Sequence, residues 1–92
     1  MGFTKESAVE AAKRDLAKRL KISESEISAS ASDADFPDMS LGAAQKGEMS
    51  GQMISSGWKI DLSANGKPFE YRADKYQLRL KGFEGKNIKI SG

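Results

Sequence analysis

Two adjacent residues, Asn65-Gly66, constrain the fold of this chain more than any other feature. Both central positions of a two-residue hairpin turn need positive φ, and Asn-Gly reaches that geometry at low cost. Before it, Trp58, Ile60, Leu62 and Ala64 alternate with Lys59, Asp61 and Ser63; after it, Phe69, Tyr71 and Ala73 alternate with Glu70 and Arg72. A two-residue turn sets Ala64 opposite Lys67, so Leu62 meets Phe69, Ile60 meets Tyr71 and Trp58 meets Ala73. Every apolar side chain then falls on one face, so turn chemistry and hydrophobic period select the same register. One apolar sheet face must be covered, and the rest of the chain has to supply the cover.

Residues 4–20 predict the covering helix. Val9, Ala12, Leu16 and Leu20 recur at spacings of three and four, behind a Thr4 N-cap and Glu6 in the first turn. Lys13, Arg14, Lys18 and Arg19 are expected on the wet side. Ser23-Glu24-Ser25-Glu26 has capping-box spacing but room for one short turn only. Ile27, Ala29 and Ala31 then alternate with serines as a strand. Ala34 and Phe36 have the opposite parity, and a bulge near Ser32–Asp33 is expected to bring them to the same face. Pro37 ends the strand.

Past the hairpin, Tyr76–Lys81 carries Tyr76, Leu78 and Leu80 on one parity. Residues 70 and 72 must bond to that strand, which suggests a loop over Ala73–Tyr76 with Arg72 opposite Gln77. Pro68 has no N–H to offer, so pairing should fail near Lys81. Gly82 and Gly85 bracket a turn before a last short strand at Lys86–Ile90. The expectation is one α+β domain over residues 1–92, with one N-terminal helix packed on an antiparallel meander of about four strands.

Composition narrows the chemistry. The chain has no histidine and no cysteine, so the commonest general base, the commonest metal ligand, thiolate nucleophiles and disulfides are excluded. Its net charge of +2 is spread without a basic stripe, which argues against nucleic acid as a partner. No apolar run approaches the roughly 20 residues of a membrane span. Met1-Gly2 fails as a myristoylation signal because Glu6 stands where Ser or Thr is needed. No cofactor is expected. Asp33, Asp35 and Asp38 supply oxygen donors, but Pro37 interrupts a spacing that already departs from a calcium loop, so solvated turn residues are the better reading. Asp61, Glu70 and Asp74 lie on the polar side of the hairpin, where solvated charge is normal, and an enzymatic role is not expected. Trp58, Phe69 and Tyr71 share the face owed to the helix, which makes them core rather than a base-stacking platform.

Residues 37–50 show no period and read as a long loop, with strand character returning over Glu48–Ile54 and a turn at Ser55-Ser56-Gly57. Unstructured loops of this length are uncommon in compact domains and are often functional. Met39, Leu41, Met49 and Met53 lie in or beside it; they either cap the core or form an adaptable contact surface.

Phe36-Pro37-Asp38-Met39-Ser40-Leu41-Gly42, followed by Gln45, Gly47, Gln52, Gly57-Trp58-Lys59-Ile60 and Phe69-Glu70-Tyr71, resembles a small uncharacterised prokaryotic domain with an aromatic-Pro-Asp-x-Ser-Leu-Gly motif. Members of that family are often exported proteins or lipoproteins. The resemblance implies a domain of the same kind, with excision from an exported protein as the expectation, and implies no activity. Ala43 and Arg72-Ala73-Asp74 depart from that pattern, where the family often has cysteine and His-Thr-Asp. A weaker similarity is to cystatins, the cysteine-protease inhibitors, in the order helix, strand, glutamine-to-glycine tip and aromatic strand; here Gln52 to Gly57-Trp58 would be the tip, with one extra residue. These readings lead to a non-enzymatic, monomeric protein-binding module. Its candidate contact residues are Pro37, Asp38, Met39, Leu41, Gln52, Met53, Ser55, Ser56 and Gly57. The alternative is a structural accessory domain of an exported protein, with no binding loop of its own.

Overall fold

The computed structural model describes residues 2–92. Helix α1 spans Lys5–Leu20, and a short 3-10 helix spans Glu24–Glu26. Five strands follow: β1 (Ser28–Phe36), β2 (Ser55–Ala64), β3 (Lys67–Ala73), β4 (Leu78–Phe83) and β5 (Lys86–Ser91). They form one antiparallel meander in the order β1-β2-β3-β4-β5. The sheet has five strands rather than about four.

The hairpin has the register that its turn demands. Trp58 pairs with Ala73, Ile60 with Tyr71, Leu62 with Phe69 and Ala64 with Lys67, and Asn65 and Gly66 have φ of 54° and 74°. Ile60, Leu62, Tyr71, Leu78 and Leu80 are buried with Ala8, Ala12, Leu16 and Ala17 of α1. Val9, Leu20, Trp58 and Phe69 pack around that core partly exposed. Thr4 caps α1: its hydroxyl accepts from the Ser7 N–H at 3.1 Å, and Ser7 Oγ accepts from the Thr4 N–H at 2.9 Å. A small polar network borders this side. The Tyr71 hydroxyl donates to Asp15 Oδ2 at 2.7 Å, and Arg19 Nε donates to the same oxygen at 2.7 Å. Burial, reinforced by the Asp15 hydrogen bond, pushes the Tyr71 phenol above the ordinary phenol range.

Three local expectations are corrected. No bulge interrupts β1, whose pairing with β2 runs unbroken from Ser28–Ser63 to Phe36–Ser55. Ala34 and Phe36 therefore lie on the face away from α1, where Phe36 is nevertheless buried. Ser55–Gly57 is not a turn but the start of β2. The β3–β4 loop is Asp74–Gln77, so Arg72 pairs with Arg79 rather than Gln77. That shift of two residues preserves parity and keeps Leu78 and Leu80 inside, but it leaves Tyr76 outside. The β3–β4 pairing does stop at Lys81, opposite Glu70 and two residues short of Pro68. A cleft of about 510 Å³ opens where the two strands part, with Leu20, Phe69 and Phe83 among its lining.

Candidate functional site

A buried Phe36 on the far side of the sheet requires a second cover, and residues 37–54 provide it. The turn at their start is built by Asp38. Its Oδ1 accepts from the N–H groups of Ser40 at 2.9 Å and Gly42 at 3.0 Å, drawing the chain into a tight coil. Leu41 and Gly42 follow in left-handed conformations, with φ of 59° and 65°. Glycine at the second of these leaves room for Arg72, whose Nη1 would lie 2.6 Å from a Cβ there. The coil turns the side chains of Ser40, Leu41 and Ala43 inward, where all three are buried, and the Ser40 and Ser50 hydroxyls bond to each other.

Two arginines on adjacent strands hold this coil to the sheet. Arg72 of β3 donates from Nη1 to the Leu41 carbonyl at 2.8 Å and from Nε to Glu70 at 2.7 Å, with its guanidinium 5.1 Å from the centre of the Phe36 ring. Arg79 of β4 is only 2% exposed. It donates to both oxygens of Glu48, at 2.6 and 2.7 Å, to the Ala43 carbonyl at 3.2 Å, and from Nε to Gln77 at 2.6 Å. A buried guanidinium needs such saturation, because removing it from water costs several kcal/mol. The hydrogen bonds from Arg79, with a further one from the Gln45 N–H, lower the Glu48 pKa from 4.5 to about 2. Farther along, Gln77 Nε2 donates to the Met39 carbonyl, Asn87 Nδ2 to the Ala44 carbonyl, and the Lys89 N–H to Gln45 Oε1. The segment is thus a strap laid across the outer face as far as β5.

The sequence-predicted contact residues divide sharply. Leu41 is sealed inside and Asp38 is committed to the turn. Ser55, Ser56 and Gly57 form no tip; they pair with Phe36, Asp35 and Ala34, and Ser56 Oγ donates to Asp35 at 2.7 Å. Gly57 sits against the Ala73 carbonyl, with no space for a Cβ. Pro37, Met39, Gln52 and Met53 remain exposed. The methionines do not cap the core: Met39 is 50%, Met49 97% and Met53 66% exposed. Ile54 and Tyr76 are also exposed, by 75% and 76%; the parity shared with Leu78 and Leu80 points Tyr76 inward, and nothing in the sequence singles out Ile54. Met39, Met49 and Tyr76 line one shallow hollow with Gly51 and Gln77.

Of the candidate acids, Asp74 and Glu70 are bonded within the fold and Asp61 is exposed. Asp74 Oδ1 accepts from the N–H groups of Tyr76 and Gln77, Glu70 holds Arg72, and Asp61 lies 3.6 Å from Lys59. Among the described residues, no three acidic groups converge as metal ligands, and no helix is long and apolar enough to cross a membrane. No curated protein and no solved structure gives a significant match. The match that is found covers residues 9–80, from α1 through the strap to β4, and by it the chain belongs to the family described as Domain of unknown function (DUF8738).

Proposed function

We propose that this chain is a non-enzymatic protein-binding module whose contact surface is the outer side of the strap: Met39, Met49, Met53 and Ile54, with Tyr76 from the β3–β4 loop. The observation that carries the reading is the contrast within one segment. Leu41 and Ala43 are buried, while four large apolar side chains of the same strap are left in water. A small domain gains by burying every apolar group it can, so exposed methionines on a backbone fixed from beneath suit contact with another apolar surface. A fixed backbone also lowers the ordering cost of binding. A cystatin-like wedge is not part of this reading, since Gly57 lies within β2 instead of at a tip.

The test is capture from native extract by the parent chain, by a Met49→Ser, Met53→Ser, Ile54→Ser variant, and by a control changed at exposed Lys18→Ser. A protein retained by parent and control and lost by the triple variant supports the module. Identical capture by all three favours an accessory structural domain, a reading to which the buried Leu41 and the densely bonded strap already lend weight.

A further inference from the structure

The two edges of the sheet are unequally protected. On β5 the pairing is irregular at two places, between Leu78 and Arg79 and between Leu80 and Phe83. The strap also reaches that edge, where Gln45 Oε1 accepts the Lys89 N–H at 2.7 Å. Bulges and covering loops are the usual guards of a sheet edge. β1 has neither: nine residues pair with β2 without a break, and no proline lies within them.

Parity identifies which β1 groups are open. Ala64 and Lys67 flank the two-residue turn and exchange hydrogen bonds, so even-numbered residues of β2 face β3 and odd-numbered ones face β1. The β1 partners of Gly57, Lys59, Asp61 and Ser63 are Ala34, Ser32, Ser30 and Ser28. Ala29, Ala31, Asp33 and Asp35 therefore direct their N–H and C=O groups away from the sheet. The same counting turns the Lys89 N–H outward, where Gln45 is found on it. It also turns the Ile27 N–H away from β2, and that group bonds to the Glu24 carbonyl instead. Among the described residues, no loop bonds to the four β1 N–H groups.

We infer that the free edge of β1 is a strand-addition site for an extended segment of another protein that carries basic side chains, separate from the methionine surface. An extended backbone is the one ligand that matches a row of alternating donors and acceptors 4.7–4.9 Å away. Charge selects among extended segments. The only ionisable side chains of β1 are Asp33 and Asp35, both on the α1 side of the strand. Asp33 already attracts one cation, Lys5 Nζ at 2.9 Å, and its side chain stays 83% exposed, so an added lysine or arginine exchanges with or joins that pair at little cost. Two copies of β1 side by side would bring four carboxylates to one seam with only the two Lys5 amines, which disfavours self-pairing.

The experiment uses residue-resolved amide exchange of the whole chain. Without a partner, Ala29, Ala31, Asp33 and Asp35 should exchange quickly and Ser28, Ser30, Ser32 and Ala34 slowly. The probe is a nine-residue capped peptide of alternating threonine and valine with two lysines placed to meet Asp33 and Asp35. It should slow the four open amides by about tenfold or more at saturation, as strand pairing does. Raising the salt or substituting Asp33→Asn with Asp35→Asn should weaken binding severalfold. The same peptide N-methylated on its pairing amides should give no protection. The inference is overturned if the lysine peptide protects none of the four at millimolar concentration, or if the N-methylated or a glutamate-bearing peptide protects equally. It is also overturned if these amides become protected in the chain alone as its concentration rises, which would mean self-pairing.

Discussion

Replacing Glu48 by Gln should undock the strap and leave the rest of the domain folded. The carboxylate receives two short bonds from Arg79, which is 2% exposed, while Glu48 is 23% exposed. Breaking a fully buried pair costs about 3–5 kcal/mol, and an exposed one about 0–1. With one partner sealed and the other half-open, about 2–3 kcal/mol of docking free energy is expected to be lost. Gln keeps the volume and one acceptor, and Arg79 keeps the Ala43 carbonyl and Gln77. The loss is therefore electrostatic and should appear as strap opening. The apolar core under α1 lies on the other side of the sheet and contains no residue of the strap. By native-state amide exchange, Met39, Leu41 and Ala43, whose N–H groups bond within the strap, and Lys89, whose N–H is held by Gln45 of the strap, should lose protection by about 30- to 150-fold as it opens. Ile60, Leu62 and Tyr71 should change little. An equal loss at all these amides would show that strap and sheet unfold as one unit. No loss anywhere would show that the Arg79–Glu48 pair holds nothing down.

Acid should act in the same way. Glu48 has a folded pKa of about 2 against an ordinary 4.5, so its contribution is complete above about pH 4.5 and disappears as pH falls toward 2. Discounted for solvent screening it is worth about 2–3 kcal/mol, the same as the Glu48→Gln loss, and strap amides followed by NMR should open over that window ahead of the core. Tyr71→Phe removes the 2.7 Å bond to Asp15 but leaves Arg19 on the carboxylate, so denaturant unfolding should show a loss of about 1–2 kcal/mol. A neutral result would mean that the buried hydroxyl contributes nothing beyond its desolvation. Gly66→Ala meets no neighbouring atom and strains only a φ of 74°, costing about 1 kcal/mol in thermal melts. Gly57→Ala drives a Cβ into the Ala73 carbonyl and should cost about 3 kcal/mol or more; similar melts for the two variants would contradict the strand assignment of Gly57.

The helix-side half of the fold is legible because its signals agree. Asn65-Gly66 fixes the hairpin register, the alternation from Trp58 to Ala73 fixes the face, and the spacing from Val9 to Leu20 supplies the cover. The other face is hidden for a physical reason. Its interior is held by Arg72 and Arg79, whose alternating positions read as solvated charge in a one-sided sheet. Assuming one covered face also generated the absent bulge in β1, since Phe36 had to be brought to the helix side. Burying arginine needs partners supplied one by one from a distant loop: Leu41, Ala43, Glu48 and Gln77. No periodicity encodes that set. The strap's left-handed residues and Asp38 turn were within reach of turn chemistry, but not the direction in which it folds. For the same reason the exposure of the candidate residues was legible only in part: Met39 and Met53 lie outside, Leu41 is buried, Ser55–Gly57 lie in β2, and the exposure of Tyr76 and Ile54 came from the structure.

Hydroxyl-radical footprinting of the intact chain asks most directly whether residues 37–54 lie on the sheet with leucine inward and methionines outward. Met39, Met49, Met53 and Tyr76 should be labelled at rates near those of free peptides, and Leu41 and Tyr71 should be shielded by about tenfold or more. Labelling of Leu41 as fast as an unprotected leucine, with Tyr71 still shielded, would mean that the second face of the sheet is bare and the strap does not exist.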